Sequence, residues 1–309
     1  VHVAPAFGED DYILCKEHNI NIVCPIDDGA IFTEEVADLK GLQVFEANDL
    51  IIKKLKEKTN VLKIEQYFHN YPHCWRTDTP LIYKAISSWY LNVEKIKNRM
   101  IELNQEINWI PNHIKNGQFG KWLENARDWC IARNRFWGCP IPIWQSNNPN
   151  NKRIYVFGSI EEIEKFFEQK VEDLHRPYID QLTKPDPFDS NYVIKRIDDV
   201  LDCWFESGSM PFASIHYPFE NKELIDSKGF GSADFIAEGV DQTRGWFYTL
   251  TVLSAALFDK PAFKNVIVNG ILLAEDGTKM SKRLKNYPEP SKVINQYGAD
   301  AALLKCKCS

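Results

Sequence analysis

The stretch ADFIAEGVDQTRGWFYTLTVLSAALF (residues 233–258), with FKNVIVNGILLA (263–274) after it, decides the fold of this 309-residue chain. ADFIAEG (233–239) is short and mostly apolar, which predicts a buried strand, and residues 240–258 are apolar nearly all round, which predicts a buried helix. FKNVIVNGILLA predicts a strand, a glycine and a second strand. Strand, helix and strand in this order favour a parallel α/β sheet with a right-handed crossover.

Two polar clusters follow the predicted strands, at positions where α/β sheets collect ligands. One is EGVDQ (238–242), and the other is the basic loop AEDGTKMSKRLKNYPEP (274–290). A mobile loop of lysines can fold over a polyphosphate and neutralise charge that develops as a bond breaks. A generic Lys-rich stretch is more often a solvated charged loop. Neither a Walker loop nor a complete dinucleotide fingerprint is present.

Composition limits the classes of function. The chain carries 37 basic and 43 acidic side chains, a formal charge of −6, so local patches and not the overall field would have to hold a polyanion. Eight scattered cysteines without a leader or long apolar run predict a reduced, cytoplasmic protein that does not enter a membrane. The first residues begin in the middle of a strand-like pattern, which suggests a fragment of a longer protein.

The remaining segments give further expectations. Residues 41–58 predict a helix capped by Asn48, and residues 61–80 predict an extended crossing segment. KWLENARDWCIARNRFW (121–137) has apolar side chains at helical spacing and predicts a helix that GCPIPIW ends. Ser159 and Glu162 form a capping box for a short helix.

Six segments resemble isoleucyl-tRNA synthetases, a class I family, of the eukaryotic cytosolic type. They occur in that family's order and approximate spacing: VHVAPAFGEDDY (1–12), HCWRTDTPLIYKAISSWY (73–90), DWCIARNRFWGCPIPIW (128–144), DDVLDCWFESGSMPF (198–212), AEGVDQTRGWF (237–247) and KMSKR (279–283). The resemblance implies an α/β fold: the C-terminal half of a Rossmann-type parallel-sheet catalytic domain, preceded by the tail of a β-rich editing insertion domain.

The resemblance also implies domain boundaries. The editing part would be residues 1–62, the connecting segment 63–80 and the second half of the catalytic domain 81–283. An inserted segment would occupy about 145–195, and residues 284–309 would begin the segment after the catalytic loop.

By the same resemblance, the intact enzyme would activate L-isoleucine with ATP and Mg²⁺, transfer it to tRNA(Ile) and hydrolyse mischarged valine. Other synthetases of a larger complex remain open as partners. Since the family's His-Ile-Gly-His motif and anticodon-binding domain are absent from this sequence, we expect little or no activity from the chain alone. Two alternatives remain: a non-catalytic synthetase-derived module that binds RNA or protein, and a valyl-type enzyme.

Family positions assign roles to individual residues. The catalytic lysines would be Lys282 and Lys279. ATP and adenylate binding would involve Glu238, Gly239, Asp241, Gln242, Lys279, Ser281 and Lys282, and the isoleucine pocket Trp204, Trp246 and Gln242. From the residues alone, Asp241 could equally be a helix N-cap, and a tryptophan among apolar neighbours is usually core. Scaffolding would require none of these polar residues together.

His2 and Asp11 would belong to the editing site by resemblance, although a strand histidine and a turn residue are the simpler interpretations. His69, His73 and Cys74 lie where some family members hold zinc. Thr77 replaces the second cysteine, and no other Cys-x-x-Cys pair is present, so we predict no zinc.

Overall fold

The computed structural model describes residues 3–74, 77–227, 233–271, 273–274, 276–278, 280 and 285–302. The chain divides into two compact units, Val1–Ser87 and Ser88–Ser309. The finer domain boundaries expected from the sequence stay a prediction.

The first unit contains helices α1 (Glu9–Glu17) and α2 (Val44–Glu57) and a 3₁₀ turn. The expectation that Asn48 caps the second helix is wrong, because Gln43 accepts a hydrogen bond from the Phe45 N–H and starts the helix five residues earlier. The tail of a β-rich domain was expected here, but the described residues of this unit form no strands. They pair only through isolated bridges such as Ile26–Phe32. Residues 61–72 form neither helix nor strand.

The second unit holds all the strands and the other helices of the described chain. Its helices are α3 (Lys97–Glu106), α4 (Gly120–Glu124), α5 (Ile160–Phe167), α6 (Cys203–Gly208), α7 (Met210–Ala213), α8 (Lys222–Asp226), α9 (Trp246–Phe258) and α10 (Pro290–Tyr297). Its strands are β1 (Tyr90–Leu91), β2 (Asn108–Ile110), β3 (Trp129–Cys130), β4 (Ala132–Arg133), β5 (Ile143–Ser146), β6 (Ile154–Val156), β7 (Lys184–Asp186), β8 (Asp189–Arg196), β9 (Val200–Leu201), β10 (Ala233–Gly239) and β11 (Phe263–Asn269).

A parallel sheet with strand order β10-β11-β2 lies at the centre of this unit. Both predicted strands and the helix between them are present, so the predicted parallel α/β arrangement is confirmed. The helix α9 buries most of its circumference, including Phe247, Leu250 and Val252, in the same core as Trp109 of β2. The strand expected after Gly270 is not seen, since the described residues there contribute only a bridge at Leu273.

The helix expected over residues 121–137 is wrong beyond its first turn. Helix α4 ends at Glu124, and Asn125 donates its side-chain N–H to the Lys121 carbonyl. The chain then forms two short strands: β3 pairs with β1, and β4 pairs with β9. Tertiary pairing with distant strands overrides the helical spacing of the apolar residues.

A second, antiparallel sheet with order β6-β5-β8-β7 packs against α5 around Trp144, Ile163 and Ile194. The predicted cap is confirmed, because the Ser159 side chain accepts a hydrogen bond from the Glu162 N–H. The Glu162 carboxylate in turn accepts from the Gly158 N–H, one residue before the position the capping box predicts.

Over the described part of the chain, none of the helices has the length and apolar character needed to span a bilayer.

Candidate functional site

The carboxyl ends of β10 and β11 lie side by side, with Glu238 opposite Val268 and Gly239 opposite Asn269. The chain leaves β10 into a tight 3₁₀ turn, Val240–Arg244, before α9 begins. Thr243 is fully buried in this turn and donates its hydroxyl to the Val240 carbonyl at 2.8 Å. The turn therefore presents its remaining polar side chains at a fixed place on the sheet rim.

The Asp241 carboxylate lies against the backbone of Gly239. A Cβ at Gly239 would stand 2.6 Å from Asp241 Oδ1, so any larger residue would displace the carboxylate. The Asp241 side chain is exposed, and Gln242 Nε2 lies 3.5 Å from its second oxygen. An acidic group is thus held open to solvent directly beyond a strand end, as a site for an ammonium or hydroxyl group requires.

Gln242 closes the start of α9. Its Oε1 accepts a hydrogen bond from the Trp246 N–H at 2.9 Å, which satisfies one of the unpaired donors of the first turn. The sequence left open whether Asp241 is a helix cap. The structure gives the capping role to Gln242 and leaves Asp241 outside the helix.

The two tryptophans predicted for the isoleucine pocket both lie next to Gly245, Trp204 in space and Trp246 in sequence. A Cβ at Gly245 would stand 3.2 Å from Trp204 Cη2 and 2.8 Å from Gln242 Oε1. Trp246 donates its indole N–H to the Ser207 carbonyl at 2.9 Å, which ties α9 to α6. Trp204 is 40% exposed, so its ring presents an open aromatic face instead of filling a core. Trp204, Gln242 and Trp246 are therefore brought together.

A buried charge fixes the helix that carries Trp204. Asp202 caps α6 through the Trp204 N–H at 3.1 Å, and its other oxygen accepts from Arg133 Nη2 at 2.5 Å and from the Trp129 indole at 3.4 Å. The Asp202 side chain is almost fully buried. Our sequence reasoning missed this pair, although an aspartate directly before a helical apolar run is an N-cap signal.

Asn269, at the end of β11, was also missed. Its Oδ1 is buried and has no hydrogen-bond partner among the described residues, and its backbone lies in register with Gly239. A polar residue that ends the apolar run VIVN was the available signal. An acceptor without a partner at this rim favours a ligand with a donor group.

Aromatic packing supports the far side of the turn. The Arg244 guanidinium lies 5.0 Å from the centre of the Trp122 ring, and Trp122 meets Tyr248 edge to face. Burial, with a smaller contribution from the negative charge of Asp128, raises the pKa of Tyr248 to about 12. Tyr248 is therefore a neutral packing group at physiological pH.

The basic loop is described only where it begins. Ala274 and Thr278 pair across a turn at Gly277, whose φ of +78° suits glycine, and Asp276 accepts from the Thr278 hydroxyl and N–H. These two hydrogen bonds hold the pKa of Asp276 below its ordinary value. The predicted Lys279, Ser281 and Lys282 lie outside the described residues.

Of the two predicted editing residues, His2 also lies outside the described residues. Asp11 lies in the first turn of α1, and its Oδ2 accepts a hydrogen bond from the Ala4 N–H at 2.8 Å. This contact closes the turn between residues 4 and 11, which is the simpler role that the sequence left open for Asp11.

No group of three or more His, Cys, Asp or Glu side chains within the described parts of the chain could hold a metal ion. The arrangement at the sheet rim consists of an open aromatic face, a carboxylate and an amide beyond the ends of two adjacent parallel strands. This is the place where α/β enzymes bind nucleotides and small polar substrates.

Comparison with known proteins defines the class. The family described as tRNA synthetases class I (I, L, M and V) matches residues 16–308. The chain belongs to this family of class I tRNA synthetases.

The curated relatives belong to one member of this family, the isoleucine–tRNA ligases. An isoleucine–tRNA ligase of Rickettsia akari (strain Hartford) is 62% identical over 97% of this chain and 27% of its own length. That of Rickettsia africae (strain ESF-5) is also 62% identical, over 97% of this chain and 28% of its own length. The chain thus spans little more than a quarter of the relatives it matches.

Two solved structures resemble the chain more weakly. The ternary complex of Agrobacterium radiobacter K84 agnB2 LeuRS with tRNA and LeuAMS has 21% identity and a TM-score of 0.37, over 60% of this chain and 26% of that one. Mycobacterium tuberculosis methionyl-tRNA synthetase bound by methionyl-adenylate has 16% identity and a TM-score of 0.44, over 76% of this chain and 36% of that one.

Proposed function

We propose that this chain is the part of an isoleucine–tRNA ligase that binds the amino acid and the adenylate. The Trp204 ring resting on Gly245, beside the Gln242–Trp246 hydrogen bond, is the observation that carries the proposal. The identity of 62% to isoleucine–tRNA ligases favours isoleucine over valine as the substrate. The open ring and exposed Asp241 also favour a ligand site over a purely scaffolding module.

In this proposal the isoleucine side chain packs on Trp204 and Trp246, and its ammonium group pairs with Asp241. The adenylate lies along Glu238 and Gly239, where a small residue lets the ligand approach the backbone. Asn269 Oδ1 is placed to accept a hydrogen bond from an amino or hydroxyl group of the ligand. All these contacts orient the reactants and need no protein nucleophile.

The activation step is then a displacement at phosphorus. A carboxylate oxygen of isoleucine bonds to the α-phosphorus of ATP while the bond to the β-phosphate oxygen breaks, and pyrophosphate leaves. Lys282, assisted by Lys279 and Ser281, would stabilise the charge that develops on the phosphates. In the second step a ribose hydroxyl of tRNA(Ile) attacks the isoleucyl carbonyl, and AMP leaves.

Mg²⁺ would be held mainly by the ATP phosphates, with Glu238 at the end of β10 and Asp241 in the turn after it as nearby carboxylates. Magnesium commonly uses one or two carboxylates together with substrate phosphates, so these residues suit it. When bound, the ion would supply charge neutralisation on the phosphates.

Further parts of the proposal concern the whole protein. The whole protein would hydrolyse mischarged valine with the help of His2 and Asp11. It would bind tRNA(Ile) and other synthetases as partners, and it would act in the cytoplasm. The eukaryotic cytosolic type stays a prediction, since the relatives reported above are from Rickettsia.

The test is thermal unfolding of the 309-residue chain with a non-hydrolysable isoleucyl-adenylate mimic. We expect the melting temperature to rise with mimic concentration, and the valyl mimic to give a smaller rise at equal concentration. Trp204→Ala should remove most of the rise, whereas Trp137→Ala, at an exposed tryptophan elsewhere, should not. No response to either mimic would reject the proposal in favour of a non-catalytic module, and a larger valyl response would indicate the valyl type.

A further inference from the structure

A cavity of about 490 Å³ lies between the antiparallel sheet and the segment around His216 and Phe219. None of its lining residues belongs to the site described above. Its size falls in the range of small-molecule pockets. Buried side chains form its floor, namely Trp144, Ile163 and Ile179, and exposed apolar side chains such as Leu174 and Phe219 form its mouth.

One charged side chain lines this apolar space. The Arg196 side chain is 1% exposed, and its guanidinium donates from Nε to Asp180 at 2.5 Å and from Nη1 to the Asp199 carbonyl at 2.8 Å. Its Nη2 is buried without a hydrogen-bond partner in the described structure. A buried guanidinium nitrogen that lacks a partner costs free energy, which an acceptor oxygen would recover.

The charge of Arg196 is also incompletely balanced. Among the described residues, one carboxylate, that of Asp180, lies within ion-pair distance of Arg196. Its second oxygen accepts a hydrogen bond from Arg176 Nε at 2.6 Å. Two guanidinium groups thus share one carboxylate. Arg196 and Cys139 both line the cavity. Burial and then the negative charge of Glu206 raise the pKa of the Cys139 thiol, and the positive charge of Arg196 acts in the opposite direction.

The other polar end of the cavity does not favour an anion. The start of α5 also lines the cavity, where the Glu162 N–H donates to Ser159 Oγ and the Gly158 N–H, before the helix, donates to the Glu162 carboxylate. The Glu161 carboxylate accepts from its own N–H. An anionic group would therefore meet negative charge at the mouth and positive charge at Arg196.

From these observations we propose that the cavity binds a small, largely apolar carboxylate, with its ring or chain on Trp144 and Ile163 and its carboxylate toward Arg196. This site is separate from the proposed adenylate site and does not depend on it.

The first test measures binding of 2-naphthoate to the 309-residue chain by saturation-transfer NMR, with 2-naphthylmethylamine as the matched cationic probe. We expect the carboxylate to bind about tenfold or more tightly than the amine. Leu174→Trp should fill the mouth and weaken naphthoate binding about tenfold or more. Leu224→Trp, at a similarly exposed leucine in α8 that does not line the cavity, should leave it unchanged.

A second measurement needs no variant. Iodoacetamide labelling, followed residue by residue by mass spectrometry, should be slowed by 2-naphthoate at Cys139 and not at Cys203, an exposed thiol outside the cavity. Equal binding of the two probes, no naphthoate binding, or unchanged labelling of Cys139 would each overturn the proposal. The adenylate-mimic response does not enter either measurement, so failure here leaves the proposed function untouched.

Discussion

Gly245 is the residue on which the candidate site depends most directly. Both Trp204 Cη2 and Gln242 Oε1 lie within 3.2 Å of the position a Cβ would take there. We expect Gly245→Ala to displace Gln242 from the Trp246 N–H and to tilt the Trp204 ring. Binding of the isoleucyl-adenylate mimic should weaken about tenfold or more, and the free energy of unfolding should fall by about 1–3 kcal/mol.

Calorimetric titration of the mimic and urea unfolding would measure both effects. Gly158→Ala is the matched control, since its nearest neighbour would lie at 3.7 Å, an ordinary contact. Unchanged affinity in Gly245→Ala would show that the packing of Trp204 on this glycine does not form the ligand site.

Asp202 holds the helix that carries Trp204. Its carboxylate is buried, ion-paired with Arg133 and capping α6. Asparagine can still cap the helix but removes the charge, so we expect Asp202→Asn to lower the free energy of unfolding by about 1.5–3 kcal/mol. Asp259→Asn breaks a solvent-exposed Arg–Asp pair and should cost less than about 1 kcal/mol in the same urea experiment. Equal losses in the two variants would contradict the role given to Asp202.

At this scale the structure brings together Trp204, Gln242 and Trp246, which the sequence named, while their roles in ligand binding stay a prediction. Asp241, Gln242 and Trp204 were all selected, but the sequence could not show that Gln242 and not Asp241 closes the helix. That choice depends on the turn geometry between Gly239 and Gly245. Arg133 was missed because its importance comes from a distant partner, Asp202. Asn269 was missed because its place beside Gly239 is set only when β10 and β11 pair.

Among the elements, the 3₁₀ turn Ile179–Gln181 is joined to the antiparallel sheet by the carboxylate of Asp180, which pairs with Arg196 of β8. Burial raises the pKa of Asp180, but the hydrogen bonds and charges of Arg196 and Arg176 outweigh it, so this pKa lies below its ordinary value. A lowered folded-state pKa stabilises the protein above the unfolded pKa of about 3.9, and this stabilisation is lost as pH falls through the folded value.

We therefore expect Asp180→Asn to destabilise the chain by about 1–3 kcal/mol at pH 7 and by much less near pH 2. Urea unfolding followed at pH values from 7 down to 2 would measure the difference. Asp173→Asn, whose more exposed carboxylate has a pKa lowered by the backbone and side chain of His175, should show a smaller change. A pH-independent difference for Asp180→Asn would contradict the linkage.

The elements predicted correctly are those with a strong local signal. Strand β10, strand β11 and helix α9 form long apolar runs, and Ser159 with Glu162 marks the start of α5. The short strands β2, β3 and β4 have two or three residues each and exist only through pairing with distant segments. No periodicity can develop over so few residues.

For the molecule as a whole, the chain spans about 27% of a relative's length and contains no His-Ile-Gly-His motif. Activation needs groups that orient both the amino acid and the triphosphate, and a site holding only some of them loses most of the rate. We expect the chain to bind the isoleucyl-adenylate mimic yet to show no isoleucine-dependent pyrophosphate exchange above the blank without enzyme. The Rickettsia akari isoleucine–tRNA ligase, assayed at the same concentration of mimic-binding sites, serves as the positive control. Exchange by the isolated chain that requires isoleucine and is lost in Trp204→Ala would contradict this prediction and place the complete chemistry of activation within these 309 residues.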